Sequence, residues 1–381
     1  MPARRELLEL LRHAKEDPDD APRRAVLADW LEENGDETDR QRARVLRACL
    51  ETPEETRFSL YESDPRFRTV VPPEWPPLKD RFKVVGCHRW GFLHVEATAK
   101  DFRERFENTG EETREWVGTL TLQHEGTGQL NRLPCFAGLL RLHLGGMFTR
   151  QVWNVAPLLK DGLPLLREFL CTGSLSNRAF ESLVRACFVP RLKLLSLNET
   201  TRGQRITDRP LFSKAPFGQL RQFSCGIFLL GRLGRGPWTH NLEHLAFEQF
   251  EWEADDWPLN TLGELPKLRR LDLRWEGPLG RLIDGLHLEE IPILDTFSYT
   301  HTHQTVSLPA FARWPLLRQL RHLQLGGGSH DREEGLRLLL ELPLETLDLS
   351  GLRLTPIQLD WLRRHAHDRV RLPETATEKT D

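Results

Sequence analysis

The sequence predicts an α/β solenoid, a curved parallel sheet with helices or turns on its convex side, preceded by a small all-α module. Three observations carry this. An apolar-x-x-apolar-x-apolar frame recurs ten times in the body of the chain. The stretches between frames, such as "LSNRAFESLVRACF" and "REEGLRLLLELP", are apolar at helical spacing. The first fifty residues lack the frame and carry helix start and stop signals instead.

The opening module comes first. Residues 5–15 read as a helix with Leu7, Leu8, Leu10, Leu11 and Ala14 on its buried side. Asp17 precedes a proline, which disfavours helix there. Asp20 suits an N-cap and Pro22 a first turn, so a second helix starts here, with Val26, Leu27, Trp30 and Leu31 as its apolar stripe. Gly35 is a natural helix stop. A third helix, about 39–50, offers Val45, Leu46, Cys49 and Leu50. The helical module therefore covers 1–50, followed by a connector over 51–87 that is rich in proline and charge.

The repeat region spans 88–372. Its frames are Val117/Leu120/Leu122, Leu139/Leu142/Leu144, Leu166/Phe169/Cys171, Leu192/Leu195/Leu197 and Leu220/Phe223/Cys225. They continue as Leu242/Leu245/Phe247, Leu268/Leu271/Leu273, Leu294/Phe297/Tyr299, Leu320/Leu323/Leu325 and Leu344/Leu347/Leu349. The mean spacing is (349 − 122)/9, about 25 residues. An eleventh frame, Phe92/Val95/Ala97, starts the stack. The last two residues of each frame are two apart, so they share one face of a short strand. One repeat cannot bury that face alone, and its neighbours complete the core. Glycines 145–146, 173, 326–328 and 351 suit tight turns after strands. "WLRRHAHDRVRL" (361–372) closes the array as a capping helix and strand, and 373–381 reads as a disordered tail.

This body resembles the leucine-rich repeat family over about residues 90–372. It departs from the family at the place three residues after the last strand leucine, where Asn or Cys is usual. Glu125, Met147, Ser174, Thr200, Phe228, Phe250, Glu276, Thr302, Gly328 and Leu352 stand there. "DPDDAPRRAVLADWLEENGD" with "ARVLRACL" is similar to the repeat-companion domain, found ahead of repeat arrays in bacteria such as planctomycetes and myxobacteria. "RWGFLHVEATAKDF" resembles the segment by which such chains enter their repeats. The resemblance implies an architecture and no activity.

Composition narrows the function. A net charge of −3 exerts no global pull on nucleic acid or anionic membrane. No apolar run approaches the ~20 residues of a membrane span. The start "MPARRELLELL" lacks a signal peptide's uninterrupted apolar stretch. Cysteines 49, 87, 135, 171, 187 and 225 show no CxxC spacing and read as reduced thiols of a cytoplasmic protein. Asp17, Asp19 and Asp20 lack the spacing of a calcium loop. "HTH" at 301–303 has no evident third metal ligand, and neither "GGGSH" (326–330) nor "GRLGRG" (231–236) ends as a phosphate loop does. His94, His143, His244 and His322 fall on outward strand positions of separate repeats and read as surface residues. No cofactor or metal is expected.

These readings favour a non-catalytic scaffold, a monomer when unbound, that binds another protein through the concave face. A stoichiometric inhibitor or regulatory partner of an enzyme, such as a protease or nuclease, is the alternative. An enzyme assembled across repeats and a nucleic-acid binder are the competing classes. The candidate protein-binding residues are His244, Glu248, Trp252, Arg270, Asp272, Arg274 and Trp275, because Trp and Arg are enriched at interface hot spots. The outward pair Leu170 and Leu194 is the second candidate. The opening module is expected to dock near the first strands with Trp30 buried, or else to hang from the connector as a recruitment module.

Overall fold

The computed structural model describes residues 4–51, 83–106, 108–123, 134–145, 152–153, 155–197, 214–225, 236–247, 262, 265–275, 293–305, 308–328 and 333–373. The fold is an α/β repeat solenoid with a helical N-terminal segment. The chain forms two compact units, one chiefly of residues through Leu194 and one chiefly of residues from Gly218 onward.

The first unit opens with α1 (Arg5–Glu16), α2 (Ala21–Asn34) and α3 (Glu37–Glu51). Leu7, Leu8, Leu11 and Ala14 face inward as the spacing predicts. Asp20 caps α2 by accepting from the Arg23 amide, 3.3 Å. The buried stripe of α2 is Arg24, Leu27, Ala28 and Leu31, which corrects the expectation for two residues. Val26 is 52% exposed and Trp30 only half-buried, with the Arg4 guanidinium 5.7 Å from the Trp30 ring centroid. The helix face is rotated toward Arg24 and Ala28, two residues that hydrophobicity alone does not favour over valine and tryptophan. Gly35 ends α2 in an extended conformation, not a left-handed one. A Cβ there would lie 2.3 Å from the Asp39 Cβ and 2.4 Å from the Leu31 carbonyl oxygen, so close approach requires the glycine. Asp36 and Asp39 exchange side-chain-to-amide bonds of 3.2 and 3.0 Å where α3 begins.

Next comes β1 (Lys83–Cys87), formed by the last residues of the expected connector, antiparallel to β2 (Leu93–Thr98). Helices α4 (Ala99–Phe106) and α5 (Glu111–Trp116) lead to β3 (Val117–Gln123) and β4 (Arg141–Gly145). A short parallel pair, β5 (Val152–Trp153) and β7 (Ser174–Leu175), flanks α6 (Ala156–Asp161) and β6 (Glu168–Cys171). Then comes α7 (Asn177–Val184), whereas β8 (Leu194–Leu197) falls mostly in the second unit. Strands β2, β3, β4 and β6 pair in parallel, in that order.

The second unit carries β9 (Gln222–Cys225), β10 (His244–Phe247), β11 (Arg270–Trp275), β12 (Thr296–Thr305), β13 (His322–Gly328), β14 (Thr346–Arg353) and β15 (Val370–Arg371). Each pairs in parallel with the next. Between them lie α8 (Leu308–Ala312), α9 (Glu333–Leu340) and α10 (Pro356–His365). Thr355 and Gln358 form a capping box that starts α10.

The frame sets the register. Leu245 pairs with Leu271, Leu271 with Phe297, Phe297 with Leu323 and Leu323 with Leu347. Every residue of the ten frames is at most 6% exposed. A second ladder precedes the strands. The amides of Glu243, Arg269, Asp295, Arg321 and Glu345 donate to the carbonyls of Arg221, Glu243, Arg269, Asp295 and Arg321, at 2.7–3.0 Å. The next amide in each case, from His244, Arg270, Thr296, His322 and Thr346, donates to the same carbonyl, so each repeat binds the one before it through an equivalent two-donor main-chain contact. Gly327, with φ +108°, is the glycine of the 326–328 run whose backbone requires it. The connector up to 82 and the tail from 374 lie outside the described residues.

Candidate functional site

In the first unit the opening module is docked onto the start of the parallel strands, as the capping expectation has it. Lys15, at the end of α1, is fully buried and donates to the Val117 carbonyl of β3, 2.9 Å. Its ammonium lies 5.5 Å from the Phe92 ring centroid and 3.9 Å from Glu115. Arg12 pairs with Glu111 and Glu115 of α5, and Arg4 joins Asp39 to Glu112. Arg42 contacts the same two carboxylates at 3.2 Å and lies over the Trp116 ring.

The Asp-Pro-Asp-Asp turn belongs to this contact. Asp19 accepts from Lys193, 2.6 Å, and from the Trp90 indole, 3.2 Å. Burial alone would raise its carboxyl, but Lys193 and Arg89 hold it below the usual carboxylate range. Arg167 donates to the Glu16 carbonyl, 2.8 Å. Gly91, at φ +83°, lets the hairpin approach α3, since a Cβ there would lie 2.5 Å from Leu46 Cδ2.

The turn after β1 also covers part of the outward strand face. Glu168 lies between Arg89 at 2.7 Å, Arg141 at 3.2 Å and His88 at 3.4 Å. Burial opposes its charge, yet Arg89, His88 and Arg141 hold its carboxyl far below the ordinary range. The Arg141 guanidinium lies 2.9 Å from His88 Nε2, and burial lowers the pKa of that ring. Sequence reading missed this cluster. Its signal was an Arg141–Glu168 pair at matched outward positions of successive frames, which needs the repeat register to be seen.

In the second unit the outward side chains form rows across the strands. One row runs Gln222, His244, Arg270, Thr296, His322, Thr346. The next runs Ser224, Ala246, Asp272, Ser298, Gln324, Asp348. Asp272 accepts from His244 Nε2, 2.7 Å, and from Arg270 Nε, 2.9 Å. Burial would raise this carboxyl, but His244 and Arg270 bring it down to about 2. The row changes character along the unit. Gln222, Ser224, His244, Ala246 and Asp272 are buried, whereas Gln324 and Thr346 are exposed.

Of the sequence-predicted site residues, His244, Arg270 and Asp272 come together in one ion-paired group. His244 is 4% exposed, so it is not the surface histidine expected; it is bonded to Asp272, which also holds Arg270. His94, His143 and His322 are half-buried. Arg274, two residues beyond Asp272 on the same face, is exposed and meets no acceptor among the described residues. Trp275 ends the paired part of β11 beside His301, its side chain outside what is described, and Glu248 and Trp252 lie outside the described residues. Leu170 and Leu194 are buried, which removes them as an exposed apolar pair.

Among the described residues no cluster of His, Cys, Asp or Glu could hold a metal ion. No helix among them is long and apolar enough to cross a membrane. No family model matches the chain, and no curated protein matches it. Among solved structures, the crystal structure of a Bacteroides fragilis protein from a structural genomics consortium is similar at 12% sequence identity. That match covers 74% of this chain and 82% of the other, with a TM-score of 0.40.

Proposed function

We propose that this chain is a non-catalytic cytoplasmic scaffold of the leucine-rich repeat kind, with an N-terminal module of the repeat-companion kind. It binds a partner protein through the outward side chains of its strands. The observation that supports this reading most is the Arg270–Asp272–Arg274 strand. Asp272 is neutralised by its neighbours, and Arg274 is presented beside it to solvent. A guanidinium held on a strand is a preorganised contact for a partner's carboxylate or carbonyl groups. The exposed polar face of β13 and β14 extends the surface.

The expected partner is a protein, and the chain acts as its structural or regulatory binder. The test is quantitative affinity capture from extract of the native organism, comparing wild type with Arg274→Glu. A partner protein retained by wild type and lost with the variant supports the reading. Equal capture by both, with equal melting temperatures, overturns it.

A further inference from the structure

The two ends of the sheet are finished differently. At the β1 end the opening module closes over the hairpin turn, with Leu46 against Gly91 and the Cys49 thiol donating to the His88 carbonyl. At the other end β15 has a strand on one side only. Leu347 pairs with Val370 and Asp348 with Arg371, so Val370 and Leu372 continue the two columns of frame residues. Both are half-buried, whereas every residue of the ten frames is at most 6% exposed. They lack the further strand that covers each earlier repeat. The edge is held in place from behind. Arg369 donates to the Leu344 carbonyl, 2.8 Å, and to the Leu340 carbonyl, 2.5 Å.

The main chain limits what this edge can add. The Leu347 amide donates to the Arg369 carbonyl, 2.9 Å. By the alternation of a parallel ladder, the Val370 carbonyl and the Leu372 amide then face away from β14. The Val370 amide is used by the His367 carbonyl, 2.9 Å, and Pro373 has no amide hydrogen. An incoming parallel strand therefore has one residue bracketed by one acceptor and one donor, the residue opposite Arg371. That residue shares the outward face with Arg371, whose side chain is 54% exposed and 3.9 Å from Asp348. The residues before and after it point inward, over Val370 and Leu372. The fitting sequence is apolar–acidic–apolar. β14 shows the same fit from the other side, with Leu347-Asp348-Leu349 running along Val370-Arg371-Leu372.

We propose that the open edge of β15 docks an extended apolar–acidic–apolar segment of a partner protein, added as a further parallel strand with its carboxylate on Arg371. A second copy of this chain does not supply that segment. Its Leu-Asp-Leu strands, β11 and β14, are already paired on both sides. Its edge strands carry no acid: β15 would set Arg371 against Arg371, and β1 reads Lys-Val-Val-Gly-Cys. Bracketing a single residue also keeps the edge from open-ended pairing. The site lies strands away from Arg274 and stands whether or not the outward face around that residue binds.

The probe is a fluorescently labelled peptide, acetyl-Leu-Asp-Leu-Asp-Leu-amide, titrated with the full chain and read by anisotropy. A peptide with lysine in place of aspartate is the comparison. The acidic peptide should bind saturably, and the lysine peptide at least about tenfold more weakly. Arg371→Glu should reverse that preference. Because the new glutamate would also face Asp348, a second measurement uses the unsubstituted chain: the acidic peptide should slow hydrogen exchange at the Leu372 amide. Absence of saturable binding, equal binding of both peptides, or protection that leaves Leu372 unchanged would overturn the proposal. Binding that appears only after residues 374–381 are removed would make the chain's own tail the occupant. A dimer that the acidic peptide dissociates, seen by sedimentation, would make it a second copy. Either result would also overturn the proposal.

Discussion

Replacing Asp272 by asparagine tests how the strand face is held. The carboxylate is 2% exposed and accepts from His244 and Arg270. An amide keeps the volume but loses the charge and one acceptor, and it places an NH2 where two donors already point. Full burial of every partner would put the loss near 3–5 kcal/mol. Arg270 is about a third exposed and can turn to water, so the expected cost is roughly 2 kcal/mol at pH 7. The depressed carboxyl leads to a similar figure. A carboxyl moved from 3.8 down to about 2 carries about 2 kcal/mol of stability. Its folded value is depressed, so this stability is fully present above about pH 4 and is lost as pH falls toward 2. Urea denaturation followed by circular dichroism, for wild type and Asp272→Asn at several pH values, measures both. The gap should be widest near neutrality and shrink below pH 4. A variant as stable as wild type at pH 7, or a gap unchanged between pH 5 and 2.5, would refute the reasoning.

Leu271→Asp should cost about 4 kcal/mol or more, because it places an unpaired charge in a frame position with no exposure; soluble protein of unchanged melting temperature would contradict the register. Gly327→Ala should cost about 2 kcal/mol, since φ is +108° and the new Cβ would lie 2.1 Å from the His301 carbonyl oxygen; calorimetry reads this directly. Deleting residues 1–51 should lower the melting temperature of the first unit by about 4 °C or more and promote aggregation, because it strips Lys15, Arg42 and Leu46 from β3, Trp116 and Gly91. Unchanged melting and solubility would return the module to the role of a tethered recruiter.

The apolar frame was legible because its period follows from strand geometry, and the pairing of Leu245, Leu271, Phe297 and Leu323 obeys it. Capping by Asp20 was legible for the same local reason. Depth across the outward face was not. Periodicity says which way Asp272 and His244 point, but their burial depends on side chains from the adjacent strand and from their own. Val26 and Trp30 failed differently: their helix buries an arginine and an alanine, a choice made by packing and not by hydrophobicity. Gly35 and Gly91 looked alike as glycines, yet one answers a close approach in extended backbone and the other a positive φ as well.

The main-chain ladder that precedes the strands of the second unit separates two lengths that are tied together in most sheets. Its rungs, at 221, 243, 269, 295, 321 and 345, lie 22, 26, 26, 26 and 24 residues apart, yet every rung has the same form, one carbonyl accepting from two successive amides of the next repeat. The distance between neighbouring strands is therefore indifferent to how much chain is spent in returning from one to the next. Outer segments can gain or lose residues without shifting any side chain on the opposite face. A surface that reads a partner can stay in register while the reverse side diverges.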